Sequence, residues 1–141
     1  MERSDIEKMI PHRSPFLFID RVEELEPGTR CVAWMLIDPE DAIFSGHFPT
    51  RPILPGVLII EAVGQTAAVM MAASAPQGTI GNALLAAVNR FKFFKPVMPG
   101  QKVRIETTKL TEAGTMAYIG GTVYVDGEIV ASGELSVVCA G

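Results

Sequence analysis

The chain has 141 residues, 48% of them hydrophobic and 20% charged, which is the length of one domain and apolar enough to bury a core and surface between subunits. Disorder is excluded as its main state. Twelve basic residues against sixteen acidic ones give a formal charge of −4, so no basic excess is present to hold a phosphate backbone, and nucleic acid is excluded as the expected partner.

The first residues, Met-Glu-Arg-Ser-Asp and on to Lys8, lack the basic-then-apolar order of an export signal. Cys31 and Cys139 are far apart and show no CxxC spacing, so neither a zinc site nor a disulfide framework is expected. A reduced, cytoplasmic setting follows as the expectation. Ser4 and Glu7 have the spacing of a capping box ahead of Ile6, Met9 and Ile10, which predicts a short N-terminal helix within residues 1–12, stopped by Pro11.

Phe16 to Val22 is aromatic and β-branched, and Cys31 to Ile37 alternates; with Pro27-Gly28 as the turn between them, two neighbouring strands are predicted. Residues 38–55 carry Pro39, Pro49, Pro52 and Pro55 but also Ile43, Phe44, Phe48, Ile53 and Leu54. So long and apolar a loop points to a functional segment. Val57 to Ala75 contains no proline and predicts a helix over 56–75, about 28 Å long at 1.5 Å per residue. Being apolar nearly all round, it is expected in the core. A membrane span competes by length alone, but Glu61, Gln65 and six alanines within it, and no flanking basic cluster, argue against one.

Lys102 to Thr111, Met116 to Val125 and Glu128 to Val138 read as strands, joined by Glu112-Ala113-Gly114 and by the hairpin signal Asp126-Gly127. They predict an antiparallel meander over 102–138. Two early strands, one long apolar helix and a run of hairpins make a single α+β domain over 1–141, a curved antiparallel sheet wrapped around a central helix.

Two histidines occur. His12, in Pro-His-Arg, is read first as a structural imidazole held by hydrogen bonds, whereas His47, in Ser-Gly-His-Phe-Pro, sits in the long loop just ahead of the helix. Glu61 interrupts Val57-Leu58-Ile59-Ile60 and Ala62-Val63. A carboxylate there is paired, altered in its titration, or pointed into a cavity, because burying it alone costs several kcal/mol. The plainer alternative is a favourable interaction with the helix dipole, of about 0.3–1 kcal/mol. Gln65, one turn on, shares its face.

Pro55-Gly56 opens the helix, and the free N–H groups of Gly56 and Val57 can receive a carbonyl oxygen that gains negative charge. Imidazole, with an unperturbed pKa of about 6.5, suits proton abstraction beside such a carbonyl. A carboxyl kept protonated by apolar surroundings can supply a proton to a leaving hydroxyl. The set fits a dehydratase; on chemistry alone an isomerase or a hydrolase stays open.

Pro11-His12-Arg13-Ser14-Pro15-Phe16-Leu17-Phe18-Ile19-Asp20-Arg21-Val22, then Gly46-His47-Phe48-Pro49, then Arg51 to Ala62 with Gln65, closely resemble the 3-hydroxyacyl-acyl-carrier-protein dehydratases of type II fatty acid synthesis. Phe91 to Gly100 also looks like the family's Phe…Pro-Val…Pro-Gly segment. The resemblance implies a hot-dog fold, no metal and no organic cofactor, and homodimers joined edge to edge, alone or as a trimer of dimers. It implies His47 as general base and Glu61, from the other subunit, as the residue that holds and protonates the departing hydroxyl. The backbone of Gly56 and Val57 would bind the carbonyl, and Phe48, Pro49, Ile53 and Leu54 would line an acyl tunnel.

The resemblance also implies an acidic acyl carrier protein as partner. Residues 88–109 carry Arg90, Lys92, Lys95, Lys102, Arg104 and Lys109 against Glu106 alone, while the rest of the chain is net −9. Such asymmetry suits docking of an acidic protein, and it suits equally a solvated strand whose lysines guard a sheet edge. Gly64, residues 87–90 and residues 38–42 depart from the family's usual pattern without removing a catalytic group. The alternatives are a thioesterase on the same fold, which needs no loop histidine, and a non-catalytic acyl-binding subunit. A dehydratase/isomerase would be expected to carry Asp in place of Glu61.

Overall fold

The computed structural model describes residues 1–140, the last of them by its backbone alone. Its elements are α1 (Arg3–Met9), β1 (Arg21–Glu26), β2 (Arg30–Leu36), a 3-10 turn at Ala42–Ser45, α2 (Gly56–Ser74), β3 (Asn82–Phe93), β4 (Lys102–Ala113), β5 (Met116–Val125) and β6 (Glu128–Ala140). The strands form one antiparallel sheet in the order β1-β2-β4-β5-β6-β3.

The sheet wraps α2, whose Ala62, Val63, Ala67, Ala68, Val69, Met70 and Ala72 are fully buried. Alanines at these positions let the strands come close. The tightest approach is at Gly121 on β5, where a Cβ would stand 2.5 Å from Cγ1 of Val63. The helix reads as membrane-like by length and composition, but this apolar face is packed against the sheet.

Three sequence expectations change. The capping box of α1 is formed by Glu2 and Asp5, not by Ser4 and Glu7, so the helix begins one residue before Ser4. Residues 16–20 are not a strand, because Gln65 takes over their backbone groups: its Oε1 accepts from the Phe18 N–H at 2.9 Å and its Nε2 donates to the Phe16 carbonyl at 2.7 Å. The strand there is β1, starting at Arg21.

The third change is a strand that the sequence pattern does not reveal. β3 pairs with β6 and forms one border of the sheet, with register shifts between Leu85 and Ala87 and between Asn89 and Lys92. Arg90, within the second shift, has φ 53°, a left-handed conformation that suits a bulge. The two borders differ. β1 is charged and partly covered by the N-terminus, where the Val22 N–H donates to the Met1 carbonyl at 2.9 Å. β3 exposes Leu84, Leu85, Val88 and Phe93.

Candidate active site

The loop before α2 is closed on itself at His47. The ring nitrogen Nδ1 lies 2.9 Å from the Ile53 carbonyl oxygen, and the Ile53 N–H returns 3.1 Å to the His47 carbonyl. A carbonyl only accepts, so Nδ1 carries the proton and Nε2 keeps its lone pair. The Leu54 N–H donates to the Val97 carbonyl at 2.8 Å, which ties the loop to the chain after β3. Phe48 stacks on the imidazole with ring centroids 4.2 Å apart.

His47 opens into a cavity of ≈360 Å³ lined also by Ile53, Leu54, Gly56, Phe93 and Lys95. α2 has no side-chain cap at its start, so its first N–H groups are left for a ligand. A Cβ on Gly56 would meet the Phe93 ring at 2.9 Å, so the missing side chain lets that ring lie against the helix start. Of the residues expected at the carbonyl and in the tunnel, Gly56, Ile53 and Leu54 line this cavity, while Val57, Phe48 and Pro49 face outward. Leu54 also borders a larger cavity of ≈760 Å³ between residues 14–18 and the 3-10 turn.

Glu61 lies elsewhere. Gln65, 1% exposed, donates from Nε2 to its Oε2 at 2.9 Å. His12 approaches the same oxygen, with Nε2 at 3.6 Å. These two residues line a small cavity of ≈20 Å³ with Gly64, Ala83, Leu85 and Val137, room for about one water-sized group. The expectation of a hydrogen-bonded structural imidazole at His12 is not met: its Nδ1 is buried with no partner among the described residues, and its other nitrogen faces Glu61. Its neighbour Arg13, which donates to the carbonyls of Glu7, Ile10 and His12, is the available signal of a built loop.

His47 and Glu61 therefore occupy separate cavities of one chain. The first is bordered by Phe93 at one end of β3, and the second by Ala83 and Leu85 at the other.

Among the basic residues of 88–109, Arg104 is held on the outer sheet face by Glu106 at 3.0 Å and by Glu23 at 3.7 Å, and Lys95 is paired with Glu128. Arg90, Lys92 and Lys102 make no ion pair among the described residues. Cys31 is fully buried, and burial pushes its thiol up to about 12, too high for a nucleophile. Among the described residues no group of three or more His, Cys, Asp or Glu is placed to hold a metal ion.

The sequence pattern of the FabA-like domain matches residues 10–134. The chain is 38% identical over 141 residues to the 3-hydroxyacyl-[acyl-carrier-protein] dehydratase FabZ of Geotalea uraniireducens (strain Rf4), covering 99% of this chain and 97% of that protein. It is 44% identical over 131 residues to the protein of the same name from Roseiflexus castenholzii (strain DSM 13941 / HLO8), covering 93% and 91%.

Among solved structures it is similar to the dehydratase heterocomplex ApeI:P from Xenorhabdus doucetiae, with TM-score 0.78 and 14% identity over 96% of this chain and 91% of that one. A mutant of the phenylacetic acid degradation protein PaaI from Thermus thermophilus gives TM-score 0.60 and 18% identity over 86% and 93%. At these identities the likeness concerns the hot-dog fold, and it agrees with the curved sheet around α2. The family match over most of the chain and the end-to-end relatives settle the assignment: the chain belongs to the FabA-like domain family, with the FabZ 3-hydroxyacyl-[acyl-carrier-protein] dehydratases as its relatives.

Proposed function

We infer that this protein is a hydro-lyase that removes water from (3R)-3-hydroxyacyl thioesters on acyl carrier protein, giving trans-2-enoyl thioesters for fatty acid synthesis or a related acyl pathway. The reading is carried by the separation of His47 and Glu61 at opposite ends of a bare apolar strand edge. Val88 is equidistant in sequence from Ala83 and Phe93. Antiparallel pairing of two β3 edges about a two-fold axis near Val88 lays Ala83 of one protomer beside the partner's Phe93. The Glu61 cavity of one chain then adjoins the His47 cavity of the other, and each dimer has two shared sites. The working unit is this homodimer, alone or as three dimers.

In the assembled site Nε2 of His47 takes the α-proton of the acyl thioester. The electron pair of that C–H bond forms the double bond as the β-carbon–oxygen bond breaks, and Glu61 of the other subunit gives the hydroxyl a proton, so that it leaves as water. The N–H of Gly56 receives the thioester oxygen as it gains charge. Ile53 and Leu54 flank the acyl chain, with Phe48 backing the imidazole. Arg90 and Lys92 on β3, which make no ion pair among the described residues, provide positive charge for an acidic carrier protein, whereas Lys95 at the cavity is already paired with Glu128. The enzyme works in the cytoplasm.

Enoyl formation, followed in the absorbance of the conjugated thioester, tests this with a 3-hydroxyacyl carrier-protein substrate. Wild type turns over and His47→Ala does not. No turnover by a folded wild-type oligomer across short and long chains would transfer the assignment to an acyl-binding subunit or a thioesterase.

A further inference from the structure

We propose that His12 is a positioning residue for Glu61, donating Nε2–H to Oε2 so that Oε1 is the oxygen left to the reacting hydroxyl. The proposal rests on the dehydratase reading and adds a residue and an atom to it.

The amide of Gln65 has only one orientation. Its oxygen must face the Phe18 N–H and its nitrogen the Phe16 carbonyl, so the second N–H of that nitrogen is the one given to Glu61 Oε2. Oε2 is thereby an acceptor, and no hydrogen bond to Oε1 occurs among the described residues. His12 adds its Nε2 on the side of Oε2.

The tautomer follows from the other ring nitrogen. Nδ1 of His12 is buried and has no partner among the described residues, and a buried N–H left without an acceptor costs more than an unused lone pair. The proton belongs on Nε2, facing the carboxylate. A bare Nε2 would instead set one lone pair against another.

At 3.6 Å the contact is longer than a hydrogen bond, and it closes when the partner's edge and the substrate complete the site, as catalytic contacts do on loading. The backbone is built for this. Arg13 donates to the His12 carbonyl at 2.7 Å and to Ile10 and Glu7 behind it, which holds the imidazole over α2. With two donors on Oε2, an acidic proton on Glu61 resides on Oε1, where it can pass to the hydroxyl.

The test compares kcat and KM of wild type, His12→Gln, His12→Asn and His12→Ala, each shown to be a folded oligomer. A glutamine amide nitrogen reaches where Nε2 stands, and an asparagine one reaches only the place of Nδ1. His12→Ala and His12→Asn are expected to lose about tenfold or more in kcat, the worth of one hydrogen bond to a charged group, with KM little changed. His12→Gln is expected to recover most of that loss. Wild-type kcat in His12→Ala, or a His12→Gln as slow as His12→Ala, would overturn the role. Ring 15N shifts of His12 in the wild-type oligomer read the tautomer without turnover: a proton on Nε2 supports the proposal and one on Nδ1 overturns it, whereas an inactive wild type would count against the dehydratase reading.

Discussion

Nδ1 of His47 stands 2.9 Å from the Ile53 carbonyl oxygen, and this one bond decides which nitrogen of the ring can act as a base. The reciprocal bond from the Ile53 N–H, at 3.1 Å, fixes the loop from both ends. The proline-rich chain between them is thus held as a small closed ring that presents Nε2 to the cavity at the start of α2.

His47→Ala is expected to lower kcat by about 10²–10⁴-fold, the usual range for losing a positioned general base, with a melting temperature close to wild type. His47→Asn keeps a group able to reach the Ile53 carbonyl but has no nitrogen in the place of Nε2, so it should remain as slow. Enoyl formation and a thermal melt on the same preparations check both.

Gln65→Leu is expected to destabilise the fold and to slow the enzyme together. It leaves the Phe18 N–H, the Phe16 carbonyl and Glu61 Oε2 without their partner, and each buried unpaired group costs about 1–3 kcal/mol. Urea unfolding would show a lower midpoint with the slope unchanged. Wild-type stability would mean that residues 16–18 find water or another partner.

The β3 edge is the interface of the proposed homodimer. Leu84, Leu85, Val88 and Phe93 are exposed along it, a row of apolar groups and free backbone that an isolated protein rarely leaves bare. Val88→Asp places two carboxylates face to face at the two-fold axis, and light scattering should then report a monomer that has lost its turnover. A Val88→Asp protein that stays dimeric and active would place the interface elsewhere.

On the outer sheet face, burial pushes the Glu106 carboxyl up, but a hydrogen bond from Tyr124 and the charges of Arg104 and Arg30 outweigh it and hold the group below its ordinary 4.5. A depressed carboxylate contributes stability above its unfolded value and loses it as pH falls through its folded one. Thermal melts between about pH 5 and about pH 3 should therefore fall more steeply for wild type than for Glu106→Gln. Equal slopes would show that the network with Arg30 at 2.8 Å contributes nothing to folding.

The sequence makes α2 and the β4–β6 meander visible because their patterns are local: an apolar run without proline, and alternation broken by Asp126-Gly127. β3 is hidden because Ala83 to Val88 neither alternates nor carries turn signals inside it; its strand character comes from pairing with β6, and Leu84, Leu85 and Val88 stay exposed while Ala83 and Phe91 pack on the core. Phe16 to Asp20 misleads in the opposite way. The residues look like a strand, and a glutamine far along the chain takes their backbone bonds instead. Glu61 is recognisable as a carboxylate in an apolar stretch, His47 by its Gly-His-Phe-Pro loop and Gly56 by its place after Pro55 at the helix start, whereas the approach of His12 to Glu61 depends on how α1 and its following loop fold over α2 and leaves no spacing to read.

The proposed shared active site is tested most directly by mixing. His47→Ala and Glu61→Gln proteins are each expected to be inactive; when their subunits are exchanged in equal amounts, half the dimers are mixed, and with shared sites each mixed dimer has one site with both lesions and one with neither. Shared sites predict recovery of about one quarter of wild-type activity at equal mixing. If His47 and Glu61 of the same chain worked together, every site would keep one lesion, and the mixture would stay as inactive as its parents.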